Sequence, residues 1–182
     1  LFPYTTLFRS SYVNAGIIYH YGNSDWLPNS EMFYVGGANS IRAFPVRAIG
    51  PGSFPGIDNK AYSYLMQNGD IKFVCNLEDR RQLFGSLYGA VFLDAGNVWT
   101  IEEEFGDELP GYGTSQFKFK DFFRQMAVGT GIGFRYDLDF LILRLDWGVA
   151  LHLPYATAKS GFYNVDSFKD SHTLHFAIGY PF

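Results

Sequence analysis

With 182 residues, 19 % of them aromatic and only 18 % charged, the chain can build one sizeable core but has an unusual composition for a soluble surface. A net charge of -4 and a pI near 5.5, with no basic stripe, exclude a nucleic-acid partner, whose phosphates require a cationic face. No apolar run approaches the roughly 18 residues of a transmembrane helix, but membrane strands escape that test because polar residues interrupt them at alternate positions.

The first ten residues, Leu1-Phe-Pro-Tyr-Thr-Thr-Leu-Phe-Arg-Ser10, read like the in-frame translation of a DNA-sequencing adaptor. Residues 1–10 are therefore set apart from a barrel segment expected over 11–182, and the native protein is expected to begin upstream of Ser11. The first alternating segment, Tyr12 to Tyr21, puts Val13, Ala15, Ile17, Tyr19 and Tyr21 on one face and Asn14, Gly16, Ile18 and His20 on the other. A long loop, about 22–69, follows. The second segment, Asp70 to Glu78, has an apolar phase of Ile71, Phe73, Cys75 and Leu77 and a polar phase that includes Asp70, Lys72, Asn76 and Glu78. Cys75, the single cysteine, reads as a small hydrophobe on that phase. Asp79 and Arg81 continue the apolar phase, which predicts that the strand is leaving the bilayer there, since charges are cheap only near the interface.

Leu87 to Trp99 is the third segment, with Phe92 and Asp94 on its inward phase. In the fourth, Met126 to Leu138, the inward set is Ala127, Gly129, Gly131, Gly133, Arg135 and Asp137; in the fifth, Phe140 to Leu153, it includes Arg144, Asp146, Gly148 and Ala150. A soluble sandwich would show water more Lys, Glu and Thr than this, whereas alternate glycines suit a wall approached closely by something inside it. The last segment, Thr173 to Phe182, sets Leu174, Phe176, Ile178, Tyr180 and Phe182 against Thr173, His175, Ala177, Gly179 and Pro181. Trp26, Trp99, Tyr12, Tyr136 and Tyr180 fall near expected strand ends, where amphipathic rings favour the headgroup zone. Asp79 to Ser86 and Asp139 are short links, and the other connections are long. These features predict an all-β, antiparallel transmembrane β-barrel with short periplasmic turns and long outer loops. Six strands are too few to close one, so they are expected to be the C-terminal part of a larger barrel of about 16 strands.

The loop sequence Phe33-Tyr-Val-Gly-Gly-Ala-Asn-Ser-Ile-Arg42-Ala-Phe-Pro, the Val91-Phe-Leu-Asp94-Ala-Gly-Asn-Val-Trp99 strand, the Arg135-Tyr136-Asp137 and Arg144-Leu145-Asp146 strands and the Ile178-Gly179 ending resemble the barrel of the BamA/TamA family. That family is the bacterial surface-antigen superfamily of outer-membrane assembly and translocation proteins. The resemblance implies that Ile41, Arg42, Ala43 and Phe44 form a loop motif folded back into the barrel, with alanine at a usual glycine. A strained tip is expected there if position 43 needs positive φ. Glu78 and Asp94 would otherwise repel each other in a confined lumen, and an arginine fork can donate to both while stacking on Phe92. Glu78, Phe92 and Asp94 are therefore the expected inner-wall partners of Arg42.

The resemblance further implies bacterial outer-membrane localisation, substrate outer-membrane or secreted proteins, and periplasmic or lipoprotein accessory subunits. The last strand, with Phe176, Ile178, Gly179, Tyr180 and Phe182, would form half of the barrel seam, serve as an assembly signal, or both. No cofactor, metal or catalytic residue is expected. His20, His152, His172 and His175 occur without a Gly-x-Ser-x-Gly elbow, and His172 and His175, three apart in a strand, face opposite sides. The acidic run Glu102-Glu103-Glu104 with Asp107 and Glu108 lacks calcium-loop spacing. The alternatives are the barrel anchor of an outer-membrane hydrolase fusion and a passive porin.

Overall fold

The computed structural model describes residues 7–22, 27–56, 66–103 and 113–181. Trp26, Glu104, Asp107, Glu108 and Phe182 lie outside these residues. Six strands form one sheet in chain order: β1 (Leu7–Ile17), β2 (Ile71–Phe84), β3 (Leu87–Trp99), β4 (Ala127–Asp137), β5 (Ile142–His152) and β6 (His172–Ile178). Every neighbouring pair is antiparallel. Branched and aromatic side chains alternate with small or polar ones along each strand, so one face of the sheet is apolar and exposed and the other is lined by glycines and buried charges.

β3, β4 and β5 end close to the expected places, but β1 is displaced, running Leu7–Ile17 where Tyr12 to Tyr21 was expected and leaving Tyr19 and Tyr21 beyond its end, and β2 runs on to Phe84 and leaves only Gly85 and Ser86 as its link to β3. Asp79 and Arg81 therefore sit on the outer face within a strand, past the Glu78 end expected for it. Mutual pairing makes that tolerable: Arg81 Nε lies 3.3 Å from an Asp79 oxygen and Arg9 Nε lies 3.5 Å from the other. Arg9 belongs to residues 7–10, set apart on sequence grounds, which here extend β1 by pairing with Glu78–Arg81.

The last strand is shorter than its alternation suggests. Gly179 has φ +87, a left-handed geometry that glycine adopts without a Cβ clash, and it turns the chain after Ile178. Beyond that turn Tyr180 no longer faces outward as in the simple alternation, and its ring lies 4.4 Å from the guanidinium of Arg80, an inward side chain of β2. Phe176 and Ile178 stay on the outer face, 67 % and 64 % exposed.

The core lies in the concavity of the sheet, between the wall and residues 33–56 of the first long loop. Val35, Ile41, Ala43, Phe44 and Ile49 from the loop pack on Val74, Val98, Ala127 and Ala150 from β2 to β5, with Val165 closing one side. Trp99 ends β3 as expected but is fully buried, so its ring meets protein where a headgroup contact was expected. Its indole N–H donates to Gln125 Oε1 at 2.7 Å and its ring stacks on Phe122 at 5.4 Å, because residues 113–125 fold over the rim there.

The same region is tied by Glu103, whose carboxylate accepts from the Ser115 backbone N–H and hydroxyl, both at 2.9 Å. Burial alone would raise its pKa, but the Ser115 and Gln116 donors hold it below the ordinary value. A depressed folded-state pKa contributes stability above the unfolded pKa, which is lost as pH falls through the folded one. Protection of the Ser115 amide, as exchange relative to its intrinsic rate, should therefore be high at neutral pH and fall only in acid, and in Glu103→Gln it should be low at both.

Candidate functional site

The inward phases of five strands meet the loop at one buried cluster of charges. β2 supplies Asn76, Glu78 and Arg80 at alternate positions, β3 supplies Phe92 and Asp94, β4 Arg135, β5 Arg144 and Asp146, and β6 Thr173. Register aligns them: Asn76 is the Cα partner of Asp94, Glu78 of Phe92, and Arg135 of Arg144. Arg42 comes from the loop, 1 % exposed, and engages Asp94 through three donors. Its backbone N–H and Nε reach Oδ2 at 2.9 and 2.8 Å, and Nη2 reaches Oδ1 at 2.8 Å. Nη1 donates to Glu78 Oε2, and the guanidinium carbon sits 3.7 Å from the Phe92 ring centre. The structure thus brings Arg42, Glu78, Phe92 and Asp94 into one contact set.

Burial by itself would favour a neutral Arg42, yet Asp94 and Glu78 hold its pKa above the ordinary value, so the fork is fixed as a cation. Asn76 completes the Asp94 shell, donating to Oδ1 at 2.8 Å and to the Ser40 carbonyl at 2.6 Å, so it fastens the loop backbone as well as the acid.

The cluster extends past the residues singled out from sequence. Glu78 also accepts from Arg80 and, at 3.1 Å, from Arg135, so three guanidinium groups converge on one carboxylate. Arg135 and Arg144 face each other across β4 and β5, a like-charge pairing that Asp146 offsets by contacting both, Arg144 Nε at 3.2 Å. Arg144 Nη2 then reaches back to the loop, donating to the Ala38 carbonyl at 2.9 Å and to Asn39 Oδ1 at 2.6 Å. Sequence alternation put Arg135, Arg144 and Asp146 on the inward phase but gave no reason to join them to Glu78. The usable signal was opposite charges on one phase of adjacent strands.

Close approach of the loop is possible because the wall lacks side chains where the loop crosses it. A Cβ built on Gly129 would overlap the Cβ of Ala43, and one on Gly148 would meet the Arg42 carbonyl and the Ala43 Cα. A Cβ at Gly96 would press on Ile41 Cδ1. Ala43 itself needs no left-handed backbone: among the described residues the non-glycine residues with positive φ are Arg47 and Asp139. The strain expected of alanine at position 43 is therefore absent, and its methyl group fills the gap over Gly129. Phe44 is 5 % exposed in the core, and the Ala43 carbonyl accepts from Thr173 Oγ1 of β6 at 3.1 Å.

Of the other sequence candidates, Phe176 and Ile178 lie on the outer face of β6, Gly179 turns the chain just past it, and Tyr180 reaches the edge of the cluster through Arg80, which donates to Glu78. His172 stacks on Phe168 at the strand's start.

The arrangement is a set of complementary charges bound to one another. What it can do chemically is hold a long loop against a wall. The whole chain bears on its family: residues 2–182 match the Omp85 superfamily domain. The chain belongs to the Omp85 superfamily. Omp85 proteins are non-enzymatic assembly or transport proteins of the bacterial outer membrane that work with substrate proteins and accessory subunits. The all-β sheet with an apolar outer face fits an Omp85 barrel wall.

Proposed function

We propose that this chain is barrel wall of a BamA/TamA-type Omp85 factor that inserts or translocates substrate proteins at the outer membrane. In this reading Arg42 is the latch that keeps the loop seated in the barrel, and Glu78, Phe92 and Asp94 are its keeper. The observation that carries the reading is the fully buried Arg42 fork, bonded to acids of two different strands and stacked on an aromatic of one of them. A loop of this length loses much conformational entropy on ordering, and several charge-assisted bonds offset that loss. An open diffusion pore has no need of such a plug. The end of β6, with the Gly179 turn, would contribute one side of a labile seam, since a strand that ends in glycine and proline extends its ladder poorly.

Arg42→Lys tests the proposal in the full-length protein. Lysine keeps the charge but, as a point cation, cannot bridge Glu78 and Asp94 with a planar fork or stack on Phe92. Insertion of a substrate barrel into vesicles should slow at least tenfold while the variant itself still assembles. Insertion at the wild-type rate would remove the latch from the mechanism.

A further inference from the structure

Residues 117–124 read Phe-Lys-Phe-Lys-Asp-Phe-Phe-Arg, three cations and four rings against one carboxylate. A short 3-10 turn, Phe119–Asp121, and the Asp121–Arg124 ion pair at 2.9 Å give the segment a fixed shape. Phe122 anchors it: its ring lies 5.3 Å from Phe73, on the outward phase of β2, and 5.4 Å from Trp99 at the end of β3. The segment therefore rests on the outside of the wall at the rim bearing the long loops. Phe119 and Phe123, the latter edge-on to Phe122 at 5.2 Å, are each 82 % exposed, and Lys118 and Lys120 are exposed beside them.

The height of this rim follows from strand geometry. A strand tilted by about 45° climbs roughly 2.4 Å of membrane thickness per residue, so an apolar band about 25 Å tall spans about ten residues. Counted from Leu87 beside the short turn, that distance ends near Asn97, the Cα partner of Phe73. Phe122 and its exposed neighbours sit where the apolar band gives way to headgroups. Bulky rings with flanking cations at that level match an acyl surface capped by phosphate.

We propose that residues 117–124 form a lipid-binding segment for the outer leaflet, in which Phe119 and Phe123 enter the top of the acyl layer and Lys118 and Lys120 hold the phosphate of a phosphorylated lipid. The proposal rests on the outer-membrane barrel reading and adds to it a site that the wall motif does not contain.

The test uses the full-length protein in vesicles of brominated phosphatidylcholine with or without brominated phosphatidylglycerol or lipid A. Trp147, on the outward phase of β5 about half-way up the wall, is the control for the barrel's position. Its emission, read as the difference between the wild-type protein and Trp147→Phe so that Trp26 and Trp99 cancel, should be quenched by bromine placed deep in the chains, and failure there would overturn the membrane orientation itself. Phe119→Trp and Phe123→Trp, each made in a Trp147→Phe background and read as the difference from that background so that Trp26 and Trp99 cancel, should be quenched by bromine near the headgroups, and more strongly when the brominated lipid is anionic. Lys118→Gln/Lys120→Gln should lower that anionic preference by up to roughly 25-fold, from about fivefold per cation. Inorganic phosphate should not compete, which separates a lipid headgroup from a free anion. With Trp147 quenched, absence of quenching at positions 119 and 123, an unchanged preference in the double variant, or competition by inorganic phosphate would each overturn the proposal.

Discussion

Arg42→Ala is expected to destabilise the folded barrel by about 3–5 kcal/mol, the usual cost of removing one partner from a buried ion pair. The two acids are not stranded equally. Glu78 keeps Arg80 and Arg135, whereas Asp94 keeps only Asn76 among its side-chain donors and loses the whole guanidinium fork. The penalty should therefore be concentrated on Asp94, and a second substitution, Asp94→Asn, should recover about 1–3 kcal/mol by removing the uncompensated charge. Glu78→Gln added to Arg42→Ala should recover less, because it leaves Arg80 and Arg135 without their shared acid. Urea unfolding of the full-length protein in vesicles, together with protease digestion of the loop, would measure both effects. Equal rescue by the two second substitutions would show that the asymmetric wiring of the cluster has no energetic weight.

That asymmetry was out of reach of the sequence, and the reason is instructive. Period-two alternation reports which face a residue occupies, and it placed Glu78, Phe92 and Asp94 on one side of the sheet and Val91 and Leu93 on the other. It says nothing about register. The shared carboxylate of Glu78 depends on β2 pairing with β3 so that Glu78 meets Phe92, and on β3 pairing with β4 so that Arg135 approaches from two strands away. Alternation also fails where a single backbone angle changes. Gly179 turned Tyr180 toward Arg80 although Tyr180 and Phe182 keep the apolar phase of Phe176 and Ile178 in the sequence. Trp99 was misplaced for a different reason: its environment is made by Gln125 and Phe122, more than twenty positions along, so no local rule could bury it. The extension of β2 past Asp79 was hidden because a charge on an apolar phase looks like an exit until its partners, Arg81 and Arg9, are seen beside it.

A second large effect is expected at the glycines under the loop, and here the geometry predicts which partner substitution restores the fold. Gly129→Ala adds a methyl group that overlaps the Ala43 Cβ, so either the loop lifts or β4 bends, at a cost of about 1–3 kcal/mol. Gly129 lies inside a strand and has an ordinary φ, so alanine is compatible with the backbone and the cost reports mainly on the loop contact, with a smaller squeeze on the Val149 carbonyl 3.3 Å away. Ala43→Gly removes the opposing methyl and should restore most of the stability of Gly129→Ala. The same second substitution should fail to rescue Gly148→Ala, whose methyl would meet the Arg42 carbonyl and the Ala43 Cα, atoms that glycine retains. Gly89→Ala, where the new methyl would meet only the flexible Leu83 side chain on the outer face, should change stability by no more than about 0.5 kcal/mol. Measured side by side, these variants separate a packed loop from a loosely draped one. If Gly129→Ala behaves like Gly89→Ala, the loop does not rest on the wall at Ala43. If Ala43→Gly rescues Gly148→Ala as well, the contact there is made by side chain and not by backbone.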